Sequence, residues 1–404
     1  MEVKVQSELK RVLNTLELFA LGYSDVSSTY YFSLGVIALY SGSSLPIAMA
    51  LGSLTLWAMG LTYAELGSIM PEAGGAYYYV VRILGKVPGF IAGWMLSFDQ
   101  ILMMSYGAVG FTGYLSGVFT QLRLWPLNIL TSLAVIWLLT ALNIVGIKPS
   151  ARFNLALVIV DLTGIATIIF IGVHWLLTHH PHEVELSGIL SLTPVGLAYA
   201  LRGYTGIDVI AQSTGEALKP TSSVPRSLLA ICAASTVVAL ALSLITLYSG
   251  LVSYIASNLS DPIGALARAL FGGALAAYVS FSIAVVMLLS VNSGIVDYSR
   301  ALYRMSIDNL LPTIFSRVHP RFKTPYLSII IASLIASVFV FLNNIELIAG
   351  SYGIASLVAY ILGVISLIRL RGLSSLRVKD LIVLALGLPA LASALILALI
   401  YKPH

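Results

Sequence analysis

Charge is scarce in this chain. Only 10% of its 404 residues are Asp, Glu, Lys or Arg, where a water-soluble domain carries about 25%. With 58% of residues hydrophobic, no soluble core absorbs the apolar surface. Cysteine is nearly missing as well: Cys232 stands alone in an apolar stretch, which excludes an intrachain disulfide. The sequence has no Walker loop, nucleophile elbow or dinucleotide fingerprint. That removes the basis for an ATPase or another enzyme, and no cofactor is expected. The N-terminus, charged up to Arg11, lacks the short apolar stretch and cleavage site of a removable signal peptide.

What is present is long apolar runs. Stretches of the ~20 residues that span a bilayer recur along the chain, separated by short polar joints. Spans are predicted at 14–40, 44–66, 88–118, 127–146, 153–177, 192–214, 227–254, 271–300, 325–343, 345–368 and 380–401. The expected class is an all-α integral membrane protein of about eleven helices, one transmembrane domain over 1–404. Positively charged loops resist translocation. With the N-terminus inside, all of the 22 Lys and Arg except Arg123, Arg202, Arg268 and Lys402 fall on the cytoplasmic side. The net charge of +5 reports this asymmetry, not a nucleic-acid surface.

Two spans carry polar interruptions near their middle. The first reads Leu-Gly-Tyr-Ser-Asp-Val-Ser-Ser-Thr over Leu21–Thr29, and the sixth reads Arg-Gly-Tyr-Thr-Gly-Ile-Asp-Val over Arg202–Val209. Both are expected to be broken helices. Non-helical backbone at membrane depth is tolerated only inside protein or beside a water-filled cavity, and paired interruptions in two halves point to a transporter's binding site. The two lie five helices apart, so they run in opposite directions, as an inverted repeat of helices 1–5 (12–178) and 6–10 (189–370) requires. Residues 371–404 then form an additional eleventh helix.

Four stretches resemble a known family, the amino acid–polyamine–organocation superfamily of secondary transporters. They are Tyr63-Ala-Glu-Leu-Gly-Ser-Ile-Met-Pro-Glu-Ala-Gly-Gly-Ala-Tyr, Gly89-Phe-Ile-Ala-Gly-Trp, Tyr204-Thr-Gly-Ile-Asp with Gly215-Glu-Ala-Leu-Lys-Pro and Val224-Pro-Arg, and Ser299-Arg-Ala-Leu-Tyr-Arg-Met-Ser-Ile-Asp-Asn-Leu-Leu-Pro. The resemblance implies a LeuT-like 5+5 inverted repeat and uptake of an amino acid or related amine by alternating access, coupled to H+ or Na+. It also places the protein in the cell membrane. The first helix departs from the glycine-rich break of such permeases, because only Gly22 remains. Tyr23-Ser-Asp-Val-Ser-Ser-Thr-Tyr30 is partly similar to the pattern of potassium-uptake relatives, so a cation transporter stays open. A transport-inactive receptor with the same fold is the third reading.

The expected substrate site lies between the interruptions: Gly22, Tyr23, Ser24, Asp25, Ser27, Ser28 and Tyr30 on one, Gly203, Tyr204, Thr205, Gly206 and Asp208 on the other. Tyr23, Tyr30 and Tyr204 are candidate gates. A charge at the bilayer centre costs at least about 2.5–3.5 kcal/mol, so Asp25 is either a ligand for a cation, proton or amine, or the cap of a second half-helix. Asp208 carries the same two readings. Arg202 either holds a substrate carboxylate or neutralises Asp25, Asp99 or Asp208. Asp161, aligned roughly with the family's coupling position, is the candidate for the coupling ion, together with Asn292, Ser293 and Asp25. Asn292, Ser293 and Asp297 otherwise read as helix-packing hydrogen bonds. Glu65, Glu72, Gly74 and Gly75 mark an expected inner gate, or else a capped loop. His179, His180 and His182 lack fixed tetrahedral geometry and read as a solvated loop, so no metal is expected.

Overall fold

The computed structural model describes residues 9–179, 181–259, 261–342, 354–372 and 378–401. Lys4, His180, Arg377, Lys402 and the start of the tenth predicted span lie outside them. The described residues are helical, with one isolated bridge between Leu13 and Ala217. In order the helices are α1 (Thr15–Ser41), α2 (Leu45–Ile69), α3 (Gly75–Leu84), α4 (Lys86–Leu115), α5 (Leu127–Val145), α6 (Ile147–Thr178), α7 (Leu186–Ile189), α8 (Pro194–Arg202), α9 (Asp208–Gln212), α10 (Pro220–Tyr248), α11 (Val252–Ala256), α12 (Pro262–Leu270), α13 (Gly273–Ile307), α14 (Tyr326–Leu342), α15 (Ile354–Arg371), α16 (Val378–Ile382) and α17 (Leu388–Ile400). Eight helical stretches are long and apolar enough to cross a bilayer, and the first, Thr15–Ile69, contains both α1 and α2.

The distribution of polarity is that of a protein solvated by lipid. Phe170, Leu138 and Val237 are turned outward, while Asp25, Asp99, Asp161, Asp208 and Asp297 are buried. A surface in water would reverse this arrangement, since unpaired charges are expensive inside and apolar side chains cost little against hydrocarbon.

Helix α1 occupies the middle, packed against α10, α13, α6 and α8, while α4 packs along α13 and α2 along α10. Its start is fixed by a capping box: the Asn14 side chain accepts from the Glu17 amide at 2.9 Å, and the Glu17 carboxylate accepts from the Asn14 amide at 2.9 Å. Ahead of it, the amides of Val12 and Leu13 donate to the Glu216 carbonyl at 2.8 and 2.9 Å. The N-terminal segment is thereby stitched to the chain leaving α9.

The expectation of two broken helices is corrected here. Helix α1 runs unbroken through Leu21–Thr29. Its hydroxyls fold back onto their own helix, Ser24 to the Leu21 carbonyl at 3.0 Å, Ser28 to Asp25 at 2.7 Å and Thr29 to Val26 at 2.7 Å. Ser and Thr side chains bonded in this way remain compatible with a helix. Gly22 makes room for a neighbour instead: a Cβ there would stand 2.7 Å from both Ile210 and Ile231. The sixth span is interrupted as expected, α8 ending at Arg202 and α9 starting at Asp208. Gly206 in the gap has φ of 106°, a conformation that favours glycine.

Candidate functional site

Helix α1 faces the gap between α8 and α9 with its Asp25 side. A Cβ on Gly206 would lie 2.7 Å from Asp25 Oδ1, so the carboxylate rests directly on the glycine backbone. Asp25 is fully buried, and neither of its oxygens has a hydrogen-bond partner. Being mid-helix and bonded to nothing, it does not cap a half-helix, and that reading falls with the break it assumed.

The gap's own polar groups are satisfied. The Thr29 hydroxyl lies 2.9 Å from the Gly203 carbonyl and 3.3 Å from that of Thr205, and Thr55 donates to the Leu201 carbonyl at 2.9 Å. The Gly206 amide donates to the Tyr360 hydroxyl at 3.2 Å. That hydroxyl donates to Asp208 Oδ2 at 2.5 Å, and Tyr63 donates to Oδ1 at 2.9 Å. Asp208 is thus held from α15 and α2 at the first residue of α9. Asp99 on α4 accepts from Ser356 on α15. Tyr63, Ser356, Tyr360, Thr29 and Thr55 were missed at the level of sequence, and their only signal was a hydroxyl within an apolar span.

Of the expected gates, Tyr30 and Tyr204 come together with ring centroids 5.5 Å apart, and Tyr204 donates to the Met49 carbonyl at 3.1 Å. Tyr23 is not among them. It stacks on Phe19 and, with Tyr31, donates to Asp161 Oδ2 at 3.2 and 3.1 Å. The expected ion pair between Arg202 and Asp25 is not formed either: the guanidinium lies 4.6 Å over the Tyr199 ring, while Asp25 has no partner. Ser27 remains in the helix, with its hydroxyl directed to the Ser24 carbonyl at 3.4 Å.

The coupling candidates separate into two networks. Asp161 belongs to the tyrosines of α1. Asn292 accepts from Asn143 at 2.6 Å and donates to Ser150 at 2.8 Å and Asn154 at 2.5 Å. Asn154 continues to Ser24 at 3.1 Å, and Ser293 reaches the Leu21 carbonyl at 2.9 Å. These bonds join α5, α6, α13 and α1, and helix packing accounts for Asn292 and Ser293. Asp297, one turn further along α13, is fully buried with neither oxygen hydrogen-bonded.

The end of the bundle that carries the N-terminal segment is closed by ion pairs. Glu65 pairs with Arg371, and Glu72 with Arg304 at 3.6 Å. Gly74 and Gly75, with φ of 110° and 43°, turn the chain into α3, and a Cβ on Gly75 would stand 2.8 Å from the Gln212 amide nitrogen. The turn therefore sits on the end of α9. Deeper in, Arg300 and Glu216 form a two-pronged pair at 3.0 and 3.3 Å, with the Arg300 side chain wholly buried. Tyr77 donates to Asp308 at 2.9 Å, and burial together with that carboxylate raises the tyrosine's pKa. His179 stacks on Trp175, and the His182 amide bonds the Tyr248 carbonyl at 2.8 Å.

Residues 13–401 match the amino acid permease family, and the chain belongs to it. It is 26% identical over 383 residues to the methylthioribose transporter of Bacillus subtilis, covering 90% of this chain and 82% of that protein. Identity to the branched-chain amino acid permease of the same organism is 24% over 387 residues, 91% of this chain and 82% of the relative. Against cationic amino acid transporter 4 of Mus musculus it is 26% over 402 residues, 92% of this chain but only 61% of the mouse protein. The chain is accordingly a multi-pass membrane transporter and not an enzyme.

Proposed function

We propose that this chain is a secondary active transporter that carries an amino acid or related amine by alternating access, coupled to protons or sodium. The observation that carries the reading is Asp25: a buried carboxylate with no partner, resting against the interrupted helix α8–α9. Holding it there is costly unless a cation arrives. The substrate's amine meets Asp25, and a carboxylate on the substrate turns to Arg202. Because the amides of α1 are used within an unbroken helix, they contribute no anion site in this conformation. The residues around the solute are Gly22 to Tyr30 of α1 and Gly203 to Asp208, as the sequence suggests.

The same reading places eleven crossings in an inverted 5+5 repeat, 12–178 and 189–370, followed by 371–404. The short helix α14 and the pair α8–α9 then cross along with the eight longer stretches. The N-terminus is cytoplasmic in the cell membrane, supported by the asymmetry of Lys and Arg. Asp161, with Asn292, Ser293 and Asp25, serves the coupling ion. The pairs Glu65–Arg371, Glu72–Arg304 and Glu216–Arg300, with the Gly74–Gly75 turn, close the inner mouth.

The named relatives carry different solutes, so the family alone does not choose one. A transporter of potassium or another cation is the second reading, favoured by the same bare carboxylate. Flux into proteoliposomes of radiolabelled amino acids, amines and potassium, with and without proton or sodium gradients, tests all of this. Uptake of an amine or amino acid that follows a gradient supports the first reading, uptake of potassium alone the second, and no uptake of any solute the transport-inactive receptor.

A further inference from the structure

Two carboxylates in the interior are left alone by the rest of the chain. Asp25 on α1 and Asp297 on α13 are both fully buried, and no oxygen of either has a partner. The charges around them have the same sign: Asp25 faces Asp297, Asp208 and Asp99, and Asp297 faces Asp208 and Asp99. Asp208 and Asp99 differ in being held by Tyr63 and Tyr360 and by Ser356. Arg300, one turn beyond Asp297, is committed to Glu216, and Arg202 lies over Tyr199.

Two carboxamides complete the chamber. Gln212, at the end of α9, has its side chain beside Asp297. Gln100 on α4 reaches α13 at Gly294, one turn before Asp297, where its Oε1 lies 3.4 Å from the position a Cβ would take. Both are fully buried, and no oxygen or nitrogen of either amide has a partner. Buried polar groups are nearly always hydrogen-bonded, and here four of them in one region are not.

We propose that Asp25 and Asp297 anchor the two ends of one solute that carries two separated positive charges, a linear diamine or a longer polyamine. One ammonium meets Asp25 at the interrupted helix. The second meets Asp297, with the amide oxygens of Gln100 and Gln212 as further acceptors. The proposal rests on the reading that Asp25 binds an amine and adds the second anchor. The carboxylates are spread out: among the described residues no three acidic, His or Cys side chains converge as ligands of a metal ion, whereas a doubly charged metal ion needs such convergence. Separated ammonium groups match separated anchors. A solute bearing its own carboxylate would face like charges everywhere except toward Arg202.

The test is direct binding to the full chain in lipid nanodiscs, titrated with 1,4-diaminobutane, 1,5-diaminopentane, the matching n-butylamine and n-pentylamine, sodium and potassium. The diamines are expected to bind at least about tenfold more tightly than the monoamines of equal length, and Asp297→Asn to bring that ratio close to one. Equal affinity for diamine and monoamine in the parent overturns the proposal, as does an unchanged ratio in Asp297→Asn, or a preference for sodium or potassium over every diamine. If Asp297→Asn fails to fold, the ratio in the parent decides alone. Failure of the underlying reading has a separate signature: Asp25→Asn then leaves monoamine binding as it was, whereas failure of the second anchor alone keeps that sensitivity and loses only the ratio.

Discussion

Replacing Asp25 by Asn changes one charge and almost no volume, in a place where the structure supplies no compensation for that charge. An ammonium about 4 Å from the carboxylate, in a water-poor cavity of effective dielectric near 20, gains on the order of 4 kcal/mol. Desolvation of the ligand takes a share of this, and a net loss of at least ~1.4 kcal/mol on substitution corresponds to a tenfold weaker Kd. Titration of the purified variant with amines and cationic amino acids measures it. The stability of the unliganded protein separates this from a structural role. An N-cap lost to substitution lowers stability by about 0.5–2 kcal/mol, but Asp25 lies mid-helix with no bond to lose. Thermal unfolding without ligand is therefore expected at or above the parent's midpoint. A variant that binds every ligand as the parent does, or that unfolds markedly earlier while empty, refutes the reasoning.

Three further outcomes are expected. Asp161→Asn removes the carboxylate that accepts from Tyr23 and Tyr31, and uptake should depend less on the ion gradient while solute exchange persists; an unchanged pH and sodium profile takes Asp161 out of coupling. Cysteines at His179 and Arg317 in a Cys232→Ala background should label from opposite faces of the membrane, and labelling of both from outside removes the proposed topology. Glu216→Gln leaves Arg300 buried and half-paired, at a cost of about 3–5 kcal/mol, whereas replacing both residues by Met recovers much of it; thermal midpoints of the single and double variants check this, and an equal loss in both contradicts it.

The spans were legible in the sequence because hydropathy alone sets them, and the interruption of the sixth was legible because Gly203 and Gly206 accompany its polar residues. The first misled for a physical reason. Ser24, Ser28 and Thr29 look like helix breakers in a linear reading, yet each hydroxyl returns to a carbonyl three residues back. Polar residues in a membrane helix thus mark either a break or its repair, and only the presence of a glycine in the left-handed region, Gly206, separated the two. The partners of Asp208 and Asp99 were illegible for another reason. Tyr63, Ser356 and Tyr360 sit on helices distant in sequence, and a lone hydroxyl in an apolar span carries no pattern.

Identity of residue type did not distinguish the five interior aspartates, but hydrogen bonding does. Asp161, Asp208 and Asp99 each have hydroxyl donors aimed at them from other helices. Such a carboxylate is part of the packing, and its removal leaves donors stranded. Asp25 and Asp297 have none, so the fold gains nothing from them in this closed conformation and carries the cost of burying them. Selection for stability alone would replace both with neutral residues of similar size. Their location supplies the reason to keep them: Asp25 rests on the backbone of the interrupted helix, and Asp297 stands one turn before the Arg300–Glu216 pair that seals one end. A positive charge that leaves the break toward that end meets Asp297 before it meets Arg300. The repulsion it brings to Arg300 then acts on the pair that must part for the exit to open.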